Sequence, residues 1–166
     1  MVSARRKQGG FGLLFALFLI AIIAVSLTAT ALLATTEMKR DRERQLLFVG
    51  DAYRRAIREY YLAVPGQQHY PPTLQDLIED PRFPMPVRYL REIYADPMSG
   101  QPFLLIRDPL DHGIEGVYSP ATGEPLKIAN FPEKDRTFTG ATSYAQWKFE
   151  FAPPASFPQP DKRQVQ

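Results

Sequence analysis

From Phe11 to Thr36 the chain carries no charged residue, and within that run Leu13 to Val25 is almost wholly apolar. About 20 such residues let a helix cross the hydrocarbon core of a bilayer, so residues 11–36 are predicted to form one transmembrane helix. A buried core helix of this composition would need a domain wrapped around all its faces, and the rest of the chain is too small to supply one. Past the apolar run, Leu46, Val49, Gly50, Tyr53, Ile57 and Tyr60 recur at three- and four-residue spacing. That period places them on one stripe of a continuing helix over residues 37–64, the surface on which a globular domain is expected to dock. Asp51 and Arg55 stand off the stripe at a spacing that lets them pair. All 16 prolines lie at Pro65 or beyond, so nothing earlier removes a helical backbone donor. Pro65-Gly66 ends the helix.

Residues 65–151 alternate short apolar runs with turn signals and are predicted to form a small globular domain. Pro72 to Ile78 reads as a short helix, with Thr73 as its cap and Asp76 three residues on, in the manner of a capping box. Pro81, Pro84 and Pro86 keep the next stretch irregular. Phe103 to Ile106, Ile114 to Tyr118 and Trp147 to Phe151 are predicted strands; in the last, aromatic residues alternate with Lys148 and Glu150, as on a half-buried strand. Asp96-Pro97, Ser99-Gly100, Asp111-His112-Gly113 and Thr122-Gly123 supply the turns. The expected fold class is α+β, a long N-terminal helix packed on a small antiparallel sheet, with residues 152–166 as a proline-rich tail.

Composition removes several functions. A chain of 166 residues leaves room for one domain besides the apolar segment. Cysteine is absent, which excludes disulfides, zinc–thiolate sites and thiol nucleophiles. The formal charge is +2, yet three of the 20 basic residues are Arg5, Arg6 and Lys7, which leaves 17 basic against 18 acidic groups elsewhere. Nucleic acid is therefore not an expected partner, since phosphate binding needs a clustered basic face. No glycine-rich phosphate loop and no Ser/His/Asp order occurs, so no enzymatic activity is expected, and His69 and His112 read as surface turn residues. Asp108, Asp111 and Glu115 are oxygen donors of the kind calcium takes, but calcium wants six to eight and these lack an EF-hand spacing. They read as a solvated loop, and neither a metal nor another cofactor is expected. Lys39, Arg40, Arg42 and Arg44, diluted by Glu37, Asp41 and Glu43, read as a solvated helix surface near lipid head groups. With basic residues at both ends of the apolar run, the positive-inside rule does not orient it.

The basic head Arg5-Arg6-Lys7, followed by Gly9-Gly10 and an apolar helix beginning at Phe11, resembles the leader of type IV pilins and type II secretion pseudopilins. Tyr70-Pro71-Pro72-Thr73-Leu74-Gln75-Asp76-Leu77, then Tyr94 to Phe103 with its Asp96-Pro97 turn, then Ile114 to Ser119, are similar to the G-type pseudopilin pattern. Together these pieces cover most of residues 5–151. The resemblance implies a pilin-like fold and a leader of residues 1–10, cut by a prepilin peptidase between Gly10 and Phe11, with N-methylation of Phe11. It further implies a single-pass inner-membrane protein with its C-terminal domain in the periplasm. The retained helix would pack with other pilin-like subunits at an inner-membrane assembly platform. The family commonly has glutamate at the fifth residue of the mature chain, where it pairs with a neighbour's terminal amine. Here that place is Phe15, which within the resemblance points to a minor or tip subunit. Pro120 to Tyr144 departs from the G-type pattern, in which an aspartate-rich loop near the C-terminus holds calcium.

A second reading stays open. Ala29-Thr30-Ala31 is an A-x-A site after an apolar stretch of suitable length, where signal peptidase I could release a soluble periplasmic binding or accessory domain. The two readings part at the mature N-terminus, Phe11 in one and Leu32 in the other.

Overall fold

The computed structural model describes the backbone of residues 9–153 and the side chains of residues 12–22 and 35–153. Residues 1–8 of the expected leader and residues 154–166 of the expected tail lie outside the described residues, and Gly10, Phe11 and Ala29-Thr30-Ala31 are described as helical backbone alone. The chain divides into two compact units, Met1–Asp41 and Arg42–Gln166. Helix α1, Gly9–Leu62, contributes residues to both. It stops three residues before Pro65, and Gly66 takes a φ of +82°, a left-handed turn that glycine adopts without a Cβ penalty.

Within the unit Arg42–Gln166 the fold is α+β, α1 packing on a three-stranded antiparallel sheet of order β1-β2-β3. The strands are β1, Leu104–Arg107, β2, Ile114–Tyr118, and β3, Lys148–Glu150. The middle strand has the bounds that its apolar pattern predicts. The outer two are shorter or shifted: Phe103 precedes β1 as a buried residue against Tyr53, ring centroids 5.3 Å apart, and the β1–β2 register slips between Ile106 and Arg107. The alternation on β3 survives, with Lys148 and Glu150 exposed around a buried Phe149.

All six residues of the predicted stripe are buried, with Leu46, Tyr53 and Ile57 wholly so. Burying each large apolar side chain contributes about 1.5–3 kcal/mol, and this stripe faces Ile114, Val117, Trp147 and Phe149 in one core. Gly50 sets how near the layers come. A Cβ there would stand 2.5 Å from the Phe149 ring, so only glycine lets β3 lie this close to the helix.

The segment 72–78 is a single 3-10 turn, Gln75–Leu77, rather than a longer helix. Its reciprocal cap forms nonetheless: the Thr73 N–H donates to Asp76 Oδ2 at 2.9 Å and the Asp76 N–H to Thr73 Oγ1 at 3.4 Å. The Asp96-Pro97 turn closes between Ala95 and Pro102. There the buried Asp96 carboxylate accepts the N–H groups of Met98 and Ser99 and the hydroxyl of Ser119. Two further 3-10 turns, Glu133–Phe138 and Tyr144–Gln146, lie where the sequence pattern predicts no element.

Replacing Gly50 by valine is expected to cost about 1–3 kcal/mol, the range for overfilling a packed core. Thermal unfolding followed by the fluorescence of Trp147 measures it; an unchanged midpoint would mean that the helix and β3 do not meet at this point.

Candidate functional site

In the unit Met1–Asp41, the described side chains of α1 from Gly12 to Ile22 are bare. Leu13, Leu14, Phe15, Leu17, Phe18, Leu19, Ile20 and Ile22 are between 47% and 67% exposed. Because they occupy nearly consecutive positions, they circle the helix and do not form one face. A contiguous apolar surface of this kind marks contact with another protein or with lipid. Phe15 is part of it, at 59% exposure. The described portion covers about 16 Å of helix, roughly half the hydrocarbon thickness of a bilayer. Among the described residues no helix is long and apolar enough to cross a membrane.

In the unit Arg42–Gln166, three polar side-chain groups hold loops against α1, and sequence reasoning found none of them. Glu43, 4% exposed, accepts the Tyr144 hydroxyl at 2.7 Å and the backbone N–H of Leu126. Arg54 donates to Asp135 Oδ1 at 2.8 Å and lies 5.6 Å over the Phe149 ring. Asp80, whose side chain is fully buried, accepts from Arg82 at 2.6 Å and from the Tyr89 hydroxyl at 2.9 Å. The same Arg82 guanidinium sits 3.6 Å over the Tyr60 ring and donates to the Tyr60 carbonyl at 2.8 Å. That carbonyl is in the last turn of α1, where helical carbonyls lack intrahelical partners, so Arg82 caps the helix from a distant loop.

These contacts set the local acidities. Burial alone would raise the Asp80 carboxyl, but the hydrogen bonds from Arg82 and Tyr89 outweigh it and hold the group below its ordinary 3.8. Burial, then the bond to Asp80, pushes the Tyr89 phenol up to about 12. Burial, then Asp108 and Glu150, raises the Glu115 carboxyl from its ordinary 4.5.

The sequence-derived acids Asp108, Asp111 and Glu115 turn out to lie on the β1–β2 hairpin and its strand. Asp108 Oδ2 accepts the N–H groups of Leu110 and Asp111, and Asp111 accepts those of Gly113 and Tyr70. Two of the three carboxylates therefore close turns. His112 occupies the left-handed region at φ 58° in that hairpin, while His69 packs edge-on against Tyr60 at 5.7 Å. The expected Asp51–Arg55 pair forms at 3.5 Å, but Asp51 also meets Lys134 at 2.8 Å. Among the described residues no group of three or more histidines and acids gathers to hold a metal ion. Between residues 120 and 144, Asp135 bonds Arg54 and Glu133 bonds Arg136.

Comparison of the chain with protein-family models, curated proteins and solved structures finds no match.

A carboxylate whose folded value is depressed contributes stability that is present above its ordinary value and lost as pH falls through the folded one. Asp80→Asn is expected to flatten the acid limb of the stability curve below about pH 4. Urea midpoints recorded from neutral to acid pH for both proteins test this, and parallel curves would show that Asp80 is not the group responsible.

Proposed function

We infer that this chain is a pseudopilin-like assembly subunit of a type II secretion or type IV pilus-related system, structural rather than catalytic in role. The observation that carries the reading is the two kinds of surface on one helix. From Gly12 to Ile22 its large apolar side chains are bare, whereas from Leu46 to Tyr60 its stripe is the core of a small α+β unit. An anchoring or assembling segment needs the first, and a folded head needs the second. The pilin-like leader at Gly9-Gly10-Phe11 supports the same reading from the sequence.

On this reading a prepilin peptidase cuts after Gly10 and methylates Phe11, and residues 11–36 keep the protein in the inner membrane as a single span with its folded unit in the periplasm. Other pilin-like subunits pack against the helix, and the assembly platform and motor are separate proteins. A charged side chain at mid-membrane costs roughly 2.5–3.5 kcal/mol on insertion scales. Phe15 avoids that cost and forgoes pairing with a neighbour's amine, which fits a minor or tip subunit better than one repeated along a filament.

The mature protein is expected to begin at N-methylated Phe11 and to fractionate with membranes, as N-terminal sequencing and mass spectrometry will read. Gly10→Val should block maturation. A soluble mature chain starting at Leu32 would instead establish release by signal peptidase I at Ala29-Thr30-Ala31.

Crosslinking through the apolar helix is expected to trap other pilin-like subunits, and Phe15→Glu to bring little gain in assembly. Abundant filaments made of the unaltered chain alone would overturn the minor-subunit assignment.

A further inference from the structure

Four charged groups meet where the segment after Pro132 crosses the helix. Asp51 and Arg54 lie one turn apart on α1; Lys134 and Asp135 are neighbours in the 3-10 turn Glu133–Phe138. They interlock with alternating sign: Lys134 to Asp51 at 2.8 Å, Asp51 to Arg54 at 3.6 Å, and Arg54 to Asp135 at 2.8 Å. The Arg54–Asp135 end is shielded, with side-chain exposures of 13% for Arg54 and 7% for Asp135, while Lys134 at the other end is half exposed. Beneath the lattice lie Phe138, fully buried and stacked on Trp147 at 5.6 Å, and Phe149, which Arg54 covers. Leu126 and Tyr144, toward the two ends of the same segment, are tied to Glu43 one further turn-pair back along α1.

We propose that Arg54, backed by Lys134, is a built-in cation that locks the segment 126–144 onto α1 without a bound metal. The chemistry is complementary. Asp135 is carried into the interior by a segment that must cover the aromatic core, and a buried carboxylate needs a positive partner. A guanidinium delivered by the helix supplies that charge with fixed geometry and independently of the surrounding ion concentration. The two acids of the cluster, Asp51 and Asp135, are already committed to protein cations. The lock is a property of the folded unit and holds whether or not the chain assembles, so its test reads neither processing nor filament formation.

The full chain in detergent micelles is unfolded thermally with Trp147 as reporter, with EDTA or with millimolar calcium chloride. The unaltered protein should show the same midpoint in both, since only a ligand bound to the native state raises it by mass action. Arg54→Ala, which strands Asp135, should lower the midpoint by on the order of 10 °C and shift Trp147 emission to the red as the segment lifts. Asp135→Asn, which keeps the shape and removes the charge, is the milder variant should Arg54→Ala not fold. Combining Arg54→Gln with Asp135→Asn should cost less than the two single losses added together. A midpoint lowered by EDTA in the unaltered protein, an Arg54→Ala variant with unchanged midpoint and emission, or strictly additive single losses would each overturn the proposal.

Discussion

The close approach of α1 to β3 at Gly50 is the constraint from which the folded unit follows. With no side chain at that point, the Phe149 ring drops against the helix backbone, and the stripe from Leu46 to Tyr60 shares one core with residues of the sheet and of the loops before it. Once helix and sheet are this near, the inward residues of the short strands, Ile114, Val117 and Phe149, are enough to close a core. Packing at native density leaves no room for a larger residue at the contact. The strands themselves span only three to five residues each, so they gain their stability from this layer rather than from their own ladders.

Burial of polar groups then decides how the long connections are held. The chain has no cysteine, and the connections from α1 to β1 and from β2 to β3 are fastened by carboxylates drawn inside: Glu43, Asp80, Asp96 and Asp135 are all buried. Each meets donors that offset its desolvation, whether backbone N–H groups, a hydroxyl or a guanidinium. Leaving one partner out strands a charge, so such contacts act in an all-or-none way and favour a single arrangement of the loops over near alternatives. Arg82 adds a second economy, capping the end of α1 while neutralising Asp80.

One helix thus carries two kinds of surface. Its later turns are consumed in building a small head, and its earlier described turns keep their leucines, isoleucines and phenylalanines uncovered. A helix that is apolar all round is stable only inside protein or lipid, which is why the assembly reading turns on what surrounds residues 11–36 and on what becomes of Gly10 and Phe11.

Features governed by near neighbours could be read from the order of residues alone. The three- and four-residue period of Leu46 to Tyr60, the alternation around Phe149, the bounds of Ile114–Tyr118 and the reciprocal Thr73–Asp76 bonds all depend on spacings of four residues or fewer, and all appear in the structure. The class α+β follows from those same patterns. What escaped was which polar side chains bond across long distances in the chain. Glu43 and Tyr144 are separated by 101 positions, Arg54 and Asp135 by 81, Arg82 and Tyr60 by 22, and no local period marks such pairs. Glu43 in particular reads as one more charge on a solvated helix until the fold brings Tyr144 over it. Asp51 and Arg55 show the converse: the helix spacing foretold their pairing, but only the return of the chain through Lys134 and Asp135 made Asp51 part of a lattice. Local geometry is encoded by propensity and period, whereas which charge meets which across the fold is settled by the way the layers close around Gly50.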